Sequence, residues 1–238
     1  MTNKNNSIRV VNLSGYETPE VKEVYGKDWV SYGENNDYFE SLIEKYLGSP
    51  TNSRCINGIV DMIYGRGIEA TDSQDFPEMY AKFKLLVRPR EIKRVTNDYK
   101  MLGQAAVQVV YNKSKTKIIK ILHFPMETLR AEKCDSKGVI RAYYYHPKWA
   151  EIKPSDNPKR IPSFGNGKKG ETAELYIFKP YRSGFYYYAP VDYHGCLQYC
   201  SLEEEVSNYH INNIKQGLQP SLLINFNNGV PNEETQEL

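Results

Sequence analysis

From Asp37 to Leu102 the apolar positions recur at helical spacing, and from Gly103 onward they run together or alternate as in strands. Tyr38, Leu42 and Tyr46 stand four apart and predict a helix over Asp37 to Leu47. Ile56, Ile59, Val60 and Ile63 share one face of a second, Asn52 to Tyr64, which Gly65-Arg66-Gly67 ends. Phe76 to Leu86 and Arg90 to Leu102 form a further pair, split at Arg88-Pro89 because proline drives the residue before it out of the helical region. Gln104 to Tyr111 and Lys117 to Phe124 are rich in Val, Ile and Ala and predict a hairpin whose tip, Asn112 to Lys117, is basic and solvated. Val139 to Tyr145 and Leu175 to Phe178 supply shorter strands, with turns at Gly138 and Gly184. Residues 1 to 35 read as extended and mostly polar, with Trp29 and Tyr32 as anchors.

A different pattern occupies the last part of the chain. Asp192 to Gln216 contains no proline and a single glycine, Gly195, and the run stops at Gly217 with Pro220 just beyond. At the usual rise this predicts a rod of about 37 Å. Leu202, Val206, Tyr209 and either His210 or Asn213 lie on one stripe, Glu203, Glu204 and Glu205 form a solvated acidic face, and much of the remaining circumference is polar. Such a helix suits packing beside copies of itself, or bridging two domains, better than burial in one small domain. Beyond it come Ser221 to Phe226, an Asn227-Asn228-Gly229 turn, and a helix start at Asn232 that stops at Leu238. So short a helix has no stability alone, which predicts a natural continuation that completes it. Helices, then a meander, then the long helix make the fold class α+β.

Composition narrows the function classes. The 31 basic and 29 acidic residues leave a net charge of +2, so no global field draws the chain onto nucleic acid or anionic lipid. No apolar run approaches the eighteen or so residues of a membrane span, and the polar N-terminus lacks a signal core, so no membrane partner is expected. The four cysteines, Cys55, Cys134, Cys196 and Cys200, are too few for a disulfide framework and imply a reducing compartment. His194, Cys196, Cys200 and His210 invite a zinc reading, but one helix cannot converge them: His194 sits about 200° round from Cys196, and His210 about 15 Å along from Cys200. Gly165 to Gly170 resembles a phosphate loop only in composition, since Glu171-Thr172 follows the last glycine where lysine and a hydroxyl are required. It reads as a surface loop. With no nucleophile elbow and no metal motif, the chain reads as a non-enzyme with no catalytic residues, no cofactor and no metal. The 20 tyrosines include the triplets Tyr143 to Tyr145 and Tyr186 to Tyr188, which strand alternation would divide between two faces. They suit domain or subunit packing, or, near Lys148, Lys179 and Arg182, the stacking of single-stranded bases by a nucleic-acid-binding module.

Several segments together resemble the N-terminal half of a tailed-bacteriophage portal protein, the head-tail connector. They are Trp29 to Phe39, Ser49-Pro50 to Ser53, Ile63 to Ile68, the Tyr187 to Pro190 lead into the long helix, and Asn213 to Phe226 with the Asn-Gly turn after it. Residues 145 to 172, rich in Pro, Gly and Lys, depart from the resemblance. It implies an N-terminal arm over 1–29, a wing-like α+β domain over 30–190, a stem helix over 191–217 and the start of a clip over 218–238. It further implies a homomeric ring, a dodecamer, at one capsid vertex of the virion, assembled in the host cytoplasm. Double-stranded DNA is packaged and ejected through such a ring. The terminase large subunit, the major capsid or scaffold protein and a head-tail adaptor are the implied partners. Leu202, Val206 and Tyr209 are then expected at the oligomer interface.

Overall fold

The structure, a computed structural model, describes residues 19–215. A short hairpin, β1 (Val21–Glu23) and β2 (Val30–Tyr32), leads into four helices: α1 (Tyr38–Gly48), α2 (Pro50–Tyr64), α3 (Pro77–Leu86) and α4 (Pro89–Leu102). Strands follow as β3 (Ala105–Tyr111), β4 (Ile118–Phe124), β5 (Leu129–Ala131), β6 (Ala142–Tyr145), β7 (Lys159–Pro162) and β8 (Ala173–Phe178), and α5 (Leu197–Lys215) closes the described chain. The fold is α+β.

Local chemistry sets the helix boundaries. α2, α3 and α4 each begin on a proline, whose fixed φ fits the first helical position and whose missing N–H is not needed there. Ser49 caps α2 by accepting the Asn52 N–H at 3.1 Å. α4 ends at Gly103, which is left-handed at φ 78. A side chain there would meet the backbone of Ala189 at 2.8 Å and of Pro190 at 2.9 Å, so the end of α4 lies directly against the segment that leads to α5.

β3 is the middle of an antiparallel sheet ordered β4-β3-β8, with Val107 opposite both His123 and Tyr176. β5-β6-β7 form a second antiparallel meander, with Arg130 opposite Tyr144 and Tyr143 opposite Ile161. Single bridges connect the pieces: Trp29 to Glu132 joins the first hairpin to β5, and Ser163 to Leu175 joins the end of β7 to β8. α4 lies over β3 and β4, α1 and α2 pack on α4, and α5 touches α1. The core between these layers contains Tyr32, Phe39, Leu42, Ile56, Leu102, Met126, Leu129, Leu175 and Tyr188.

The structure corrects several expectations. The strand foreseen over Val139 to Tyr145 is shorter, because the Asp135 carboxylate accepts the Lys137 and Val139 N–H groups, each at 2.9 Å, and folds that stretch into a turn. The unmatched polar stretch holds a strand, β7, whose Ile161 and Pro162 are buried beneath its polar neighbours. Residues 21 to 23 and 30 to 32 are paired and not merely extended. The long helix begins at Leu197, after a 3₁₀ turn over His194–Cys196, and not at Asp192. As far as Lys215 it is about 28 Å long. Its expected stop at Gly217 and Pro220, the Asn227 to Gly229 turn and the helix from Asn232 lie outside the described residues, as does most of the N-terminal arm.

Candidate functional site

α5 leaves the rest of the described fold within about two turns of its start. Leu197, Cys200, Ser201 and Glu203 are buried or half-buried against the α1 side, whereas every residue from Glu204 to Lys215 except the half-buried Asn213 is exposed. Leu202, Val206 and Tyr209, the expected interface residues, are 44%, 46% and 65% exposed, and Tyr199, Ile211 and Ile214 add to the same apolar exposure. A bare helix with this much uncovered apolar surface is unusual on a solvent-facing element.

Its root is fixed by polar contacts that the acidic triplet did not announce. Ser49 Oγ, while capping α2, donates to Glu203 Oε2, and Thr51 Oγ1 donates to Glu203 Oε1 at 2.7 Å. Those bonds hold the Glu203 carboxyl below the usual carboxylate range. Lys45 donates to Ser201, and Gly48 leaves room for the Glu204 carboxylate, which a side chain there would meet at 2.8 Å. The solvated acidic face is therefore corrected in part: Glu203 is bonded, and Glu204 lies along the end of α1.

Beneath the root, the Tyr187 to Pro190 lead is anchored in the core. The Tyr188 hydroxyl donates to the Val30 carbonyl at 2.5 Å and accepts the Ala131 N–H at 3.0 Å, while its ring stacks on Tyr32 at 4.3 Å between centroids. Full burial pushes its pKa up to about 12. Beside it, Arg130 is wholly buried. Its Nε donates to Asn36 Oδ1 at 2.6 Å, one terminal nitrogen to Asn36 O at 2.6 Å, and the other to Glu127 O at 3.0 Å and Leu129 O at 2.9 Å. Phe39 and Trp149 both approach its guanidinium at 5.2 Å. Burial lowers the Arg130 pKa, but the fork of donors and the two aromatic faces suit a cation that never fully loses its charge. Sequence reasoning passed over Arg130, since an arginine on a short strand carries no periodic signal. Its partner Asn36 lies in the Trp29 to Phe39 segment and is left-handed at φ 61.

The tyrosine triplets do not form a stacking platform. Tyr143 and Tyr144 are buried, and Tyr145 packs edge-on against Phe124 at 5.6 Å. Tyr186 to Tyr188 form a bend and not a strand: Tyr188 is buried, the Tyr187 hydroxyl accepts the Cys134 N–H at 3.1 Å and donates to Glu23, and Tyr186 alone of the three is exposed. Their surface is spent on the protein's own packing, which removes the support for base stacking by these clusters.

The glycine-rich loop does cradle an anion, and the anion is internal. Glu174 on β8 is buried and accepts Gly165 N–H at 2.9 Å, Gly167 N–H at 3.1 Å and the Tyr111 hydroxyl at 3.2 Å, and it pairs with Lys115 Nζ at 2.6 Å. A side chain at Gly167 would collide with the carboxylate oxygen. Lys115, expected to be solvated at the hairpin tip, is thus a structural partner. Elsewhere, between α2 and α4, a polar cleft of about 680 Å³ holds His123 Nε2 at 2.7 Å from Asp98 Oδ2. Asp98 also accepts Met126 N–H at 3.3 Å, and no hydroxyl or thiol lines the cleft for the imidazole to activate. The His194 to Cys200 segment is likewise structural, with His194 Nδ1 at 2.9 Å from the Tyr38 hydroxyl, Cys196 exposed and Cys200 buried. Among the described residues no group of three or more His, Cys, Asp or Glu is gathered as a metal ion would require, and no helix is long and apolar enough to cross a membrane.

No protein-family model and no curated protein matches the chain. Solved structures do. A chain from the virion of a native gene transfer agent particle is similar with a TM-score of 0.58 at 12% identity, over 94% of this chain and 55% of that one. A chain from the neck of the native particle, computed with C12 symmetry, gives 0.57 at 12% identity, over 84% of this chain and 52% of the other. One from the neck of the empty particle, computed with C6 symmetry, gives 0.53 at 13%, over 92% and 55%. The chain thus spans about half the length of the solved chains it matches. Its α+β fold is one found in chains of gene transfer agent particles and their necks.

Proposed function

We propose that this chain is a portal subunit, a structural component of a phage-like virion that forms a homomeric ring, a dodecamer, at one capsid vertex. Residues 30–190 form its wing, 191–217 its stem and 218–238 the start of its clip. Double-stranded DNA passes through the ring during packaging and ejection, and the terminase large subunit, the major capsid or scaffold protein and a head-tail adaptor dock on it. The observation that carries this reading is the bare helix α5, whose Leu202, Val206 and Tyr209 are exposed with nothing in the described fold to cover them. Likeness in fold to chains solved within symmetric particle necks supports it. The near-neutral chain, at net charge +2, supports it too: each phosphate neutralised by a fixed cation would deepen a salt-dependent well and slow transit. ATP hydrolysis in this reading belongs to the motor and not to this chain.

Electron microscopy of the purified protein tests it. Symmetric rings with a central hole are the expected result, and monomers at high concentration would count against the reading. Val206→Asp is expected to reduce the ring fraction at least tenfold, because a charge buried between helices costs more than the apolar contact it replaces. The folded subunit should keep its stability, since Val206 is 46% exposed. Rings that survive unchanged would take α5 out of the interface.

A further inference from the structure

Besides the packing of Leu197 and Cys200, two separate sets of polar contacts hold the root of α5. Close to the core, the Tyr193 hydroxyl donates to the Met101 carbonyl at 2.7 Å, Lys100 pairs with Asp192, and Tyr38 meets His194. These tie the 3₁₀ turn over His194–Cys196 to α1 and the end of α4. Further along, Glu203 is bound by Ser49 and Thr51, at the positive end of α2. Lys45 reaches Ser201, two residues before Glu203, and the facing charged or titratable groups are Lys45 on α1 with Cys200 and Glu204 on α5 itself.

We infer that Glu203 is a latch that sets the direction in which α5 leaves the domain, with the 3₁₀ turn as its pivot. Past Glu204, which lies along the end of α1, every described residue of the helix but the half-buried Asn213 is exposed. Hydroxyl groups bound to one charged acceptor hold it firmly when aligned, and they exchange readily for water when they are not. Opening the latch lets the rod swing while the inner contacts keep it tethered. Because a helix is stiff, the motion is magnified: a swing of about 20° carries Lys215 roughly 9 Å at the usual rise. The inference rests on these contacts and is independent of ring formation.

Pulsed electron paramagnetic resonance reads it directly. Spin labels carried on genetically encoded residues at the exposed positions Arg54 and Asn212 leave the four native cysteines untouched. The unaltered protein should give one narrow distance distribution, and Glu203→Ala one at least twofold broader. Thr51→Val, which removes one donor without changing α5, should broaden it less, and Glu205→Ala should leave it as it was. Near-ultraviolet circular dichroism from the tyrosines confirms that each variant is folded, and Thr51→Val decides the matter if Glu203→Ala does not fold. A distribution that stays narrow in the folded latch variants, or one that broadens equally in Glu205→Ala, would overturn the inference.

Discussion

Arg130→Met is expected to lower the unfolding free energy by about 3–5 kcal/mol, the loss that follows when one member of a buried charged network is removed. The guanidinium is the donor for the Asn36, Glu127 and Leu129 carbonyls and one of two donors to Asn36 Oδ1, the other being Tyr32 N–H at 3.0 Å. Methionine fills much of the volume and supplies none of these bonds, and each orphaned buried acceptor costs about 1–3 kcal/mol. Some of that is returned, because the cation no longer has to be desolvated. Glu40, whose nearest oxygen is 3.9 Å from the guanidinium and whose pKa burial already raises, is left without its counter-charge and takes up a proton more readily. Arg130→Lys should rescue little, since an ammonium cannot span the same fork. Thermal denaturation at neutral pH is the check, with a fall in Tm of the order of 10 °C for a chain of this size. A midpoint within experimental error of the unaltered protein would mean that the hub is not what fastens the Asn36 turn to β5.

How much of this was legible in the sequence depended on whether the signal was periodic. α1, α2, α3 and α4 fall within about two residues of the spans their apolar spacing predicts, because proline and glycine bound them chemically as well. The β3 and β4 hairpin is equally plain from its Val and Ile runs. What stayed hidden is cross-chain satisfaction of polar groups. Glu203 looks like any solvated glutamate until Ser49, 154 residues away in sequence, donates to it. Glu174 looks like an edge-strand charge until the glycine-rich loop folds over it. β7 escaped because only Ile161 and Pro162 of its four residues are buried, too short an apolar signal to stand out between prolines and lysines. Of the two readings of the tyrosines, packing is the one that agrees with the structure: a small α+β layer whose described strands run three to seven residues uses large rings to fill its core. The exposed stripe of α5, in contrast, was visible from spacing alone, because a helix that stands away from the fold follows its own periodicity and nothing else.

Glu174→Gln should cost about 2–3 kcal/mol at pH 7, and the pH dependence of that cost identifies its origin. The carboxylate accepts from Gly165, Gly167 and Tyr111 and pairs with Lys115, so an amide in its place turns an NH₂ group toward other donors. Burial alone would raise the Glu174 pKa, but the Lys115 ammonium and the Gly165 amide outweigh it, and the net shift is downward from 4.5. A group whose folded pKa is depressed favours folding through its ionised form. Its contribution is complete above the unfolded value, about 4.3, and is lost as the pH falls through the lower, folded one. The stability gap between the unaltered protein and Glu174→Gln is therefore expected to stay constant from pH 7 to about 5 and to close as the solution is acidified below about 4. Hydrogen exchange supplies the spatial control: the Gly165 and Gly167 amides should exchange at least tenfold faster in the variant, while amides in α4 keep their protection until global unfolding. Parallel acid limbs for the two proteins would mean that the carboxylate's charge contributes nothing, and that the loop is held by its turns alone.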